Sequence, residues 1–406
     1  RRQPELARRL DARLHDLNGR AGEPRSFDRL DALLEEQHYR LAFWKAGLHE
    51  TNYRRFFAID SLIGLRMELR EVFDECHAAL ARLLADGVVT GLRIDHIDGL
   101  RDPHRYLDRL QELGRGPGAA SSAPRYVVVE KILAPGEGLP PGWPAHGTTG
   151  YDFISSLAGL FVEARHAAVF TSLHGAFTGE TAAYEDVVYE KKQLVLEEMF
   201  ANAVARLADT LVDALASDRH WRDLTRHALL VAVRELMAGH RVYRTYRRRG
   251  EKMDETDRRE VDRACAAAIR RNARMDPQPF TFVRDVLTGD YPPAGAPPGL
   301  ARDLGEWVLD FQQYTGAVMA KAVEDTAYYT YSRLIALNEV GGDPAAFGGT
   351  VAEFHAANLA RAQQAPHSLL ATATHDTKFG EDVRARLYAL SELPQEWREW
   401  TELWAR

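Results

Sequence analysis

Cysteine is nearly absent from this sequence: the 406 residues include two, Cys76 and Cys265. Both lie in stretches with a helical pattern, and two cysteines cannot form the set of disulfides that staples small secreted proteins. This scarcity excludes a disulfide framework and favours a reducing compartment. We therefore predict a cytoplasmic protein in which both cysteines pack between helices.

An excess of positive charge and long apolar runs are missing as well. The formal net charge is −7, and no cluster of Lys and Arg is interleaved with aromatic residues, so nucleic acid is not an expected partner. No apolar run approaches the roughly 18 residues of a membrane span, and the first residues lack the apolar stretch of a signal peptide. A membrane is therefore not an expected partner either.

The sequence does have the composition of a globular protein, with 45% hydrophobic residues. At about 150 residues per domain, its length suggests two or three domains. Short β-type runs alternate with helical patterns in residues 1–155, helical patterns dominate residues 156–362, and residues 363–406 return to a strand and a helix. This alternation predicts an α/β fold whose strands are parallel, with a large helical insertion between barrel-type segments.

Three predicted strands, at 88–94, 126–129 and 368–374, each lead directly into an acidic residue. A barrel enzyme collects its catalytic groups at the carboxyl ends of its strands. A glycosidase with an oxocarbenium-like transition state needs acidic groups there. The three acids are Asp95, Glu130 and Asp376.

The surroundings of each acid suggest a different role. Arg93 lies two positions before Asp95, so on a strand both side chains point to one face and Arg93 favours the ionised form of a nucleophile. Glu130 follows three valines, whose apolar surroundings favour the protonated form of an acid/base catalyst. Asp376 is suited to hold sugar hydroxyls, with His375 as a neutral donor beside it. Plainer interpretations are a structural ion pair and a solvated strand end.

Nine separated motifs, in order between residues 27 and 390, resemble one enzyme family. The three acidic segments resemble the second, third and fourth signature regions of the α-amylase superfamily of (β/α)₈ glycosidases. The full set is similar to the maltooligosyl trehalose synthase family within it. The motifs lie at 52–57, 91–103, 130–133, 147–153, 311–313, 319–321, 324–327, 336–344 and 374–387.

The resemblance implies the later strands of a (β/α)₈ TIM barrel with an inserted helical subdomain. The first signature region of the superfamily is absent, and nothing before residue 88 has the pattern of the first three barrel strands. The chain also starts without a methionine and stops at Arg406 within a polar helical pattern. We therefore expect an internal piece of a longer polypeptide, with the missing strands upstream of Arg1, that is inactive by itself.

Matching positions carry the family's site residues onto this sequence. They imply Asp95 as nucleophile, Glu130 as acid/base and Asp376 as stabiliser of the transition state. The motifs also supply expected substrate-binding residues, which are Arg93, His96, His375 and Lys378.

The implied reaction is an intramolecular transglycosylation on a maltooligosaccharide or a glycogen-derived α-1,4-glucan. The reducing-end α-1,4 linkage is converted to an α,α-1,1 linkage with retention, by two displacements through a covalent glycosyl intermediate. No cofactor and no metal are expected. The family also implies a downstream trehalose-releasing hydrolase as a pathway partner.

A glucose that turns within the site without escaping requires a closed pocket that excludes water. We predict that the helical insertion forms this pocket and that four residues at helical spacing line it; an exposed, ion-paired helix face is the alternative. Two aromatic residues, Trp143 and Tyr151, are candidates to stack on a sugar, with packing as the alternative. The four residues are Lys321, Glu324, Asp325 and Tyr328.

Three other functions stay open. An α-1,4-glucan hydrolase or branching enzyme of the same superfamily would use the same acids with a different acceptor. A metal-dependent phosphohydrolase would use Asp95, His96, Asp98 and the pair His375 and Asp376 as ligands. A glycan-binding scaffold without catalysis is disfavoured because all three acids are present.

Overall fold

The computed structural model of the chain describes residues 4–115, 123–216 and 218–406. Its internal contacts divide the chain into two compact units, Arg1–Asn52 and Tyr53–Arg406. The first unit contains three helices in its described part, and an ion pair between Arg29 and Asp16 at 3.1 Å joins two of them. These helices are α1 (Pro4–Leu17), α2 (Asp28–Glu35) and α3 (Gly47–Glu50).

The second unit begins with a small hairpin and continues into a three-stranded parallel sheet. Strands β1 (Arg55–Phe56) and β2 (Ile59–Ile63) pair antiparallel. Strands β3 (Gly91–Ile94), β4 (Tyr126–Val129) and β5 (Gly147–Thr148) follow in that spatial order. The mixed helix and strand content confirms the α/β prediction at this level, although helices predominate and the sheets are small.

Helices α4 (Arg70–Ala85) and α5 (Pro103–Glu112) flank the parallel sheet. Their apolar faces meet the sheet in one core, which contains Phe73, Leu107 and Leu110 together with alternate valines of β4. Because all three valines of β4 are at most 3% exposed, this strand is covered on both faces. The predicted strand over 126–129 is therefore confirmed, and the one over 88–94 is shorter, starting at Gly91.

The predicted strand over 368–374 is wrong. This segment has no regular secondary structure, although the amide of Leu369 donates to the carbonyl of Thr148 at 3.0 Å and Ser368 Oγ accepts from the amide of Thr148. The contact with the two-residue strand β5, which pairs with β4, does not extend into a second ladder. The segment therefore lies along β5 without forming a strand.

A bundle of helices fills most of residues 151–319 and has its own core around Phe280, Phe282, Trp307 and Phe311. The helical pattern over 184–217 forms two helices, which break at Met199 and Phe200 and both pack against the same third helix. The helices are α6 (Tyr151–Leu160), α7 (Ala167–Thr178), α8 (Tyr184–Glu198), α9 (Ala201–Leu215), α10 (Arg226–Gly239), α11 (Glu255–Arg271), α12 (Gln278–Thr288) and α13 (Pro298–Met319).

Helix α13 continues without a break into a π-helix, Ala320–Ala327. Within it, the hydroxyl of Thr326 donates to the carbonyl of Lys321, five residues earlier, at 2.8 Å. Such wide turns are rare and occur often at functional sites. The remaining helices are α14 (Tyr328–Thr330), α15 (Val351–Gln364), α16 (Glu381–Ala389) and α17 (Pro394–Trp404).

No single helix within the described ranges has both the length and the apolar composition needed to cross a membrane. Helix α6 and residues 164–178 meet those two criteria as a pair, with a bend of 78° between them.

Candidate active site

The register of the parallel sheet brings two of the three predicted acids together. Ile94 of β3 pairs with Val129 of β4, so Asp95 and Glu130 leave the sheet side by side at the carboxyl ends of these strands. The amide of Glu130 donates to the carbonyl of Ile94 at 2.7 Å. The amide of His96 in turn donates to Glu130 Oε2 at 2.8 Å. Both contacts fix Glu130 to the strand and turn that carry Asp95.

Asp95 is held in its ionised form. Arg93 donates to Asp95 Oδ1 at 2.6 Å, as the strand spacing predicts. Burial acts to raise the pKa of Asp95, but hydrogen bonds from Glu130 and Arg93 outweigh it and bring this pKa below its ordinary value. Because 56% of the side chain is exposed, this carboxylate is open to a ligand.

Glu130 has the opposite character, although it is adjacent. Its side chain is 15% exposed, and this burial is the largest cause of its raised pKa. Hydrogen bonding to Asp95 and the negative charges of Asp95 and Asp376 also favour the protonated form, against the amide of His96. Together they raise the pKa of Glu130 to about 7. Two carboxyl groups in contact with separated pKa values are the arrangement that divides the roles of nucleophile and acid.

Asp376 reaches the same cleft from the segment that lies along β5. The hydroxyl of Tyr151 donates to Asp376 Oδ2 at 2.5 Å, and Tyr151 is 1% exposed. His375 Nε2 is 3.6 Å from Asp376 Oδ1, and the negative charge of Asp376 contributes to the raised pKa of Glu130. The structure therefore brings the three predicted acids together, and it gives Tyr151 a contact with Asp376 that sequence reasoning missed.

The π-helix adds a further carboxyl group to this cleft. Burial raises the pKa of Glu324 to about 8, and the charges of Asp325, Asp376 and Glu130 act in the same direction. The ammonium of Lys378 opposes them. Glu324 is therefore within electrostatic range of Asp376 and Glu130, and its role in lining a pocket stays a prediction.

The other three residues predicted to line the pocket differ in their surroundings, and some fit the alternative of an exposed, ion-paired helix face. Lys321 Nζ donates to Asp325 Oδ2 at 2.7 Å, and Asp325 is 51% exposed, as expected for an ion-paired helix face. Tyr328 is 6% exposed, and its hydroxyl donates to the carbonyl of Gly342 at 2.7 Å. Lys321 also lies 5.2 Å from the centre of the Phe57 ring, which orients it toward the loop after β1.

Lys378 and His96 both lie on aromatic residues. Lys378 Nζ is 3.2 Å from the hydroxyl of Tyr329 and 4.3 Å from the centre of its ring. His96 has a left-handed backbone, with φ of 46°, and its ring is 4.3 Å from the ring of Phe57. Burial lowers the pKa of His96, so at neutral pH it is an uncharged donor or acceptor. Sequence reasoning missed the contact with Phe57, although this residue lies in the first of the family motifs.

The surroundings of Trp143 differ from those of the other predicted binding residues. Its side chain belongs to the core under the sheet, 8% exposed, with its ring edge-on to Tyr246 at 5.1 Å. This position favours the packing interpretation over sugar stacking.

The proposed ligands of a metal-dependent phosphohydrolase do not form a cation site. Within the described part of the chain, no group of three or more His, Cys, Asp or Glu side chains is arranged to hold a metal ion. The buried carboxylate of Asp98 instead accepts from the hydroxyl of Tyr246 and lies 3.5 Å from Lys131 Nζ. That alternative therefore receives no support from the geometry.

Comparison with known proteins provides independent evidence. No family model matches the chain. A protein described as a putative maltooligosyl trehalose synthase in Mycobacterium tuberculosis is 38% identical over 366 residues, which are 90% of this chain and 43% of that protein.

Solved structures give the same result. The maltooligosyltrehalose synthase of Arthrobacter ramosus superimposes with a TM-score of 0.77 at 36% identity, covering 94% of this chain and 44% of that one. A hypothetical maltooligosyl trehalose synthase of Sulfolobus tokodaii superimposes with a TM-score of 0.69 at 31% identity, covering 93% and 44%. The chain thus spans less than half the length of these relatives. Over about nine-tenths of its own length it is similar to maltooligosyl trehalose synthases, and the resemblance predicted from the sequence is confirmed.

Proposed function

We propose that this chain carries the catalytic acids of an enzyme that converts the reducing-end α-1,4 linkage of a maltooligosaccharide into an α,α-1,1 linkage. The observation that carries the proposal is the pair of adjacent carboxyl groups with separated pKa values, Asp95 low and Glu130 about 7. Their proximity, at the ends of two paired strands, favours a retaining mechanism, in which the two carboxyl groups lie roughly 5 to 5.5 Å apart, over an inverting one, in which they lie farther apart. Retention is required to keep both linkages α.

In the first displacement, Asp95 attacks the anomeric carbon of the sugar next to the reducing end. Glu130 gives its proton to the glycosidic oxygen, the C1–O4 bond breaks, and glucose is released within the site. Asp376 faces the positive charge that develops on the ring. Arg93 stabilises the Asp95 carboxylate before attack and after release.

In the second displacement, the released glucose turns and presents its anomeric hydroxyl to the same carbon. Glu130, now ionised, takes the proton of that hydroxyl as the new C1–O1 bond forms and the bond to Asp95 breaks. One glycosidic bond is exchanged for another, and no water is consumed. Capture of the intermediate by water would give hydrolysis instead, so the site must hold glucose and exclude water.

We also propose that β3, β4 and β5 are consecutive strands of a (β/α)₈ barrel. Helix α5 joins β3 to β4, which are parallel, and this is the repeating unit of such a barrel. The expected divisions at residues 155 and 362, with a helical insertion between them, remain part of this proposal. Both cysteines are free, which agrees with the cytoplasmic location predicted from the sequence.

Maltopentaose tests the proposed reaction on the full-length protein. We expect reducing ends to disappear while free glucose stays low, because the product is non-reducing at its new terminus. The matched control is Asp95→Asn, which keeps the shape of the nucleophile and should remove both reactions. An increase in reducing ends with the wild-type protein would instead identify an α-1,4-glucan hydrolase, which is the second candidate because it uses the same acids.

A further inference from the structure

Asp376 lies on a segment that lacks the strand predicted for it, so other contacts must fix its position. Residues 365–380, between α15 and α16, have no regular secondary structure. The carboxylate of Asp376 must nevertheless face the same anomeric carbon as Asp95 and Glu130. Loops generally position such groups less accurately than strands or helices do, unless surrounding contacts lock them.

A buried glutamate binds the backbone immediately after Asp376. Glu339 is 3% exposed, and its two carboxylate oxygens accept from the amides of Lys378, at 2.6 Å, and Phe379, at 2.9 Å. A carboxylate that accepts two consecutive amides fixes the direction of the chain at that point. Burial raises the pKa of Glu339, so the site holds this group against a solvation cost.

A buried arginine binds the same segment from its other side. Arg384 of α16 is 4% exposed, and its guanidinium donates to the carbonyl of Thr372 and, at 3.2 Å, to the carbonyl of Phe379. Arg384 Nε is 3.8 Å from Glu339 Oε1. The two charged groups therefore neutralise each other while one binds amides and the other binds carbonyls on either side of Asp376.

We propose that Glu339 and Arg384 are positioning residues that together fix the backbone of residues 372–379 and hence the carboxylate of Asp376. Their role is separate from that of Tyr151, which contacts the Asp376 carboxylate directly. This inference rests on the proposed function, because it assigns the pair to the stabiliser of that reaction. Neither residue contacts the reacting atoms.

Conservative substitutions test the pair. Glu339→Gln keeps the shape of the side chain but leaves one oxygen to accept two amides, and Arg384→Lys keeps the charge but loses the planar group that binds two carbonyls. In the full-length protein we expect each to lower kcat by about 10- to 100-fold with KM changed less than threefold, because the stabiliser is displaced while most sugar contacts remain. We also expect the ratio of hydrolysis to transfer to rise.

Matched controls separate positioning from general damage. Arg386→Lys, on the exposed side of α16, and Glu353→Gln, in the exposed N-terminal turn of α15, should leave kcat unchanged. A Glu339→Gln enzyme whose kcat and product ratio, per folded molecule, stay within twofold of the wild type would overturn the proposal, even if its melting temperature fell.

Hydrogen exchange tests the positioning role of Glu339 without measuring enzyme activity. In the wild-type protein the amides of Lys378 and Phe379 should exchange slowly, and in Glu339→Gln at least one should exchange tenfold faster or more. Unchanged protection of both amides would contradict the inference whatever product the enzyme forms. A wild-type protein that forms no non-reducing product would refute the proposed function alone.

Discussion

Lys192 offers a test of the helical core that does not depend on activity. This residue, in the middle of α8, is 2% exposed, and its Nζ donates to the carbonyl of His240 at 2.5 Å. Burial, with help from the charges of Arg263 and Arg241 and against that of Glu260, lowers its pKa from 10.5 to about 7. We predict that Lys192→Met, which fills a similar volume without a charge, stabilises the protein at pH 6.

The size of this effect follows from the difference in pKa between the two states. Below pH 7 the lysine is charged in both the folded and the unfolded protein. The buried charge then lowers the free energy of unfolding by the full equivalent of the pKa shift, which is at most about 5 kcal/mol. Replacement leaves the carbonyl of His240 without its donor, at a cost of about 1–3 kcal/mol. We therefore expect the free energy of unfolding at pH 6 to rise by at most about 2–4 kcal/mol.

The difference in stability between Lys192→Met and the wild type should depend on pH, in a direction that follows from the lowered pKa of Lys192. Because the folded pKa is lowered, the unfolded state binds more protons between pH 7 and 10.5, so the wild-type protein becomes relatively more stable as pH rises through this window. The advantage of Lys192→Met should therefore shrink toward zero, or reverse, near pH 10.

Urea denaturation of both proteins at pH 6, 8 and 9.5 measures the difference directly, since other titrating groups cancel between them. Lys191→Met, at the more exposed preceding position, is the matched control for replacing a lysine of α8 with methionine. A variant that is less stable than the wild type at pH 6, or a difference that does not change with pH, would refute the reasoning.

Three further outcomes concern the site. The kcat/KM of the full-length protein should fall above pH about 7, because Glu130 must be protonated, and should not fall through Asp95 until below the ordinary pKa of an aspartate; a pH–rate profile measures both limits. Gly341→Ala should lower activity more than Gly136→Ala does. Both glycines have φ near +80°, so the backbone strain is similar in the two variants. A Cβ at Gly341, however, would lie 3.0 Å from Cβ of Tyr151, whereas Gly136 has open space around it. Lys321→Ala should raise the ratio of hydrolysis to transfer if the π-helix lines the pocket, and an unchanged product ratio would reject that role.

Parts of this molecule could be predicted because local pattern and tertiary structure agree. Three consecutive valines before Glu130 fit a strand that is buried on both faces, and the bounds of β4 are those expected. The same-face relation of Arg93 and Asp95 follows from strand geometry alone and gives the observed ion pair. Predicting that Asp95 and Glu130 lie side by side also requires the register of β3 against β4, which the sequence does not reveal.

Other parts depend on neighbours that sequence does not reveal. The apolar stripe over 184–217 continues across Phe200, yet the chain bends there because α8 and α9 both pack on α10. The segment before Asp376 has the pattern of a strand, but its backbone contact with β5, from Leu369 to Thr148, does not extend into a ladder. For Tyr151 the sequence leaves sugar stacking and packing as alternatives, and its hydroxyl binds Asp376, a residue 225 positions away.

The amide of His96 that binds Glu130 Oε2 has a consequence for the proposed reaction. This amide belongs to the residue directly after Asp95, the proposed nucleophile, and His96 has a left-handed backbone. When Glu130 gives up its proton, the bond becomes charge-assisted and tightens, and when the proton returns it relaxes. In the proposed reaction, the turn after Asp95 would therefore be held most firmly while Glu130 is ionised, during the covalent intermediate, and less firmly once Glu130 is protonated again.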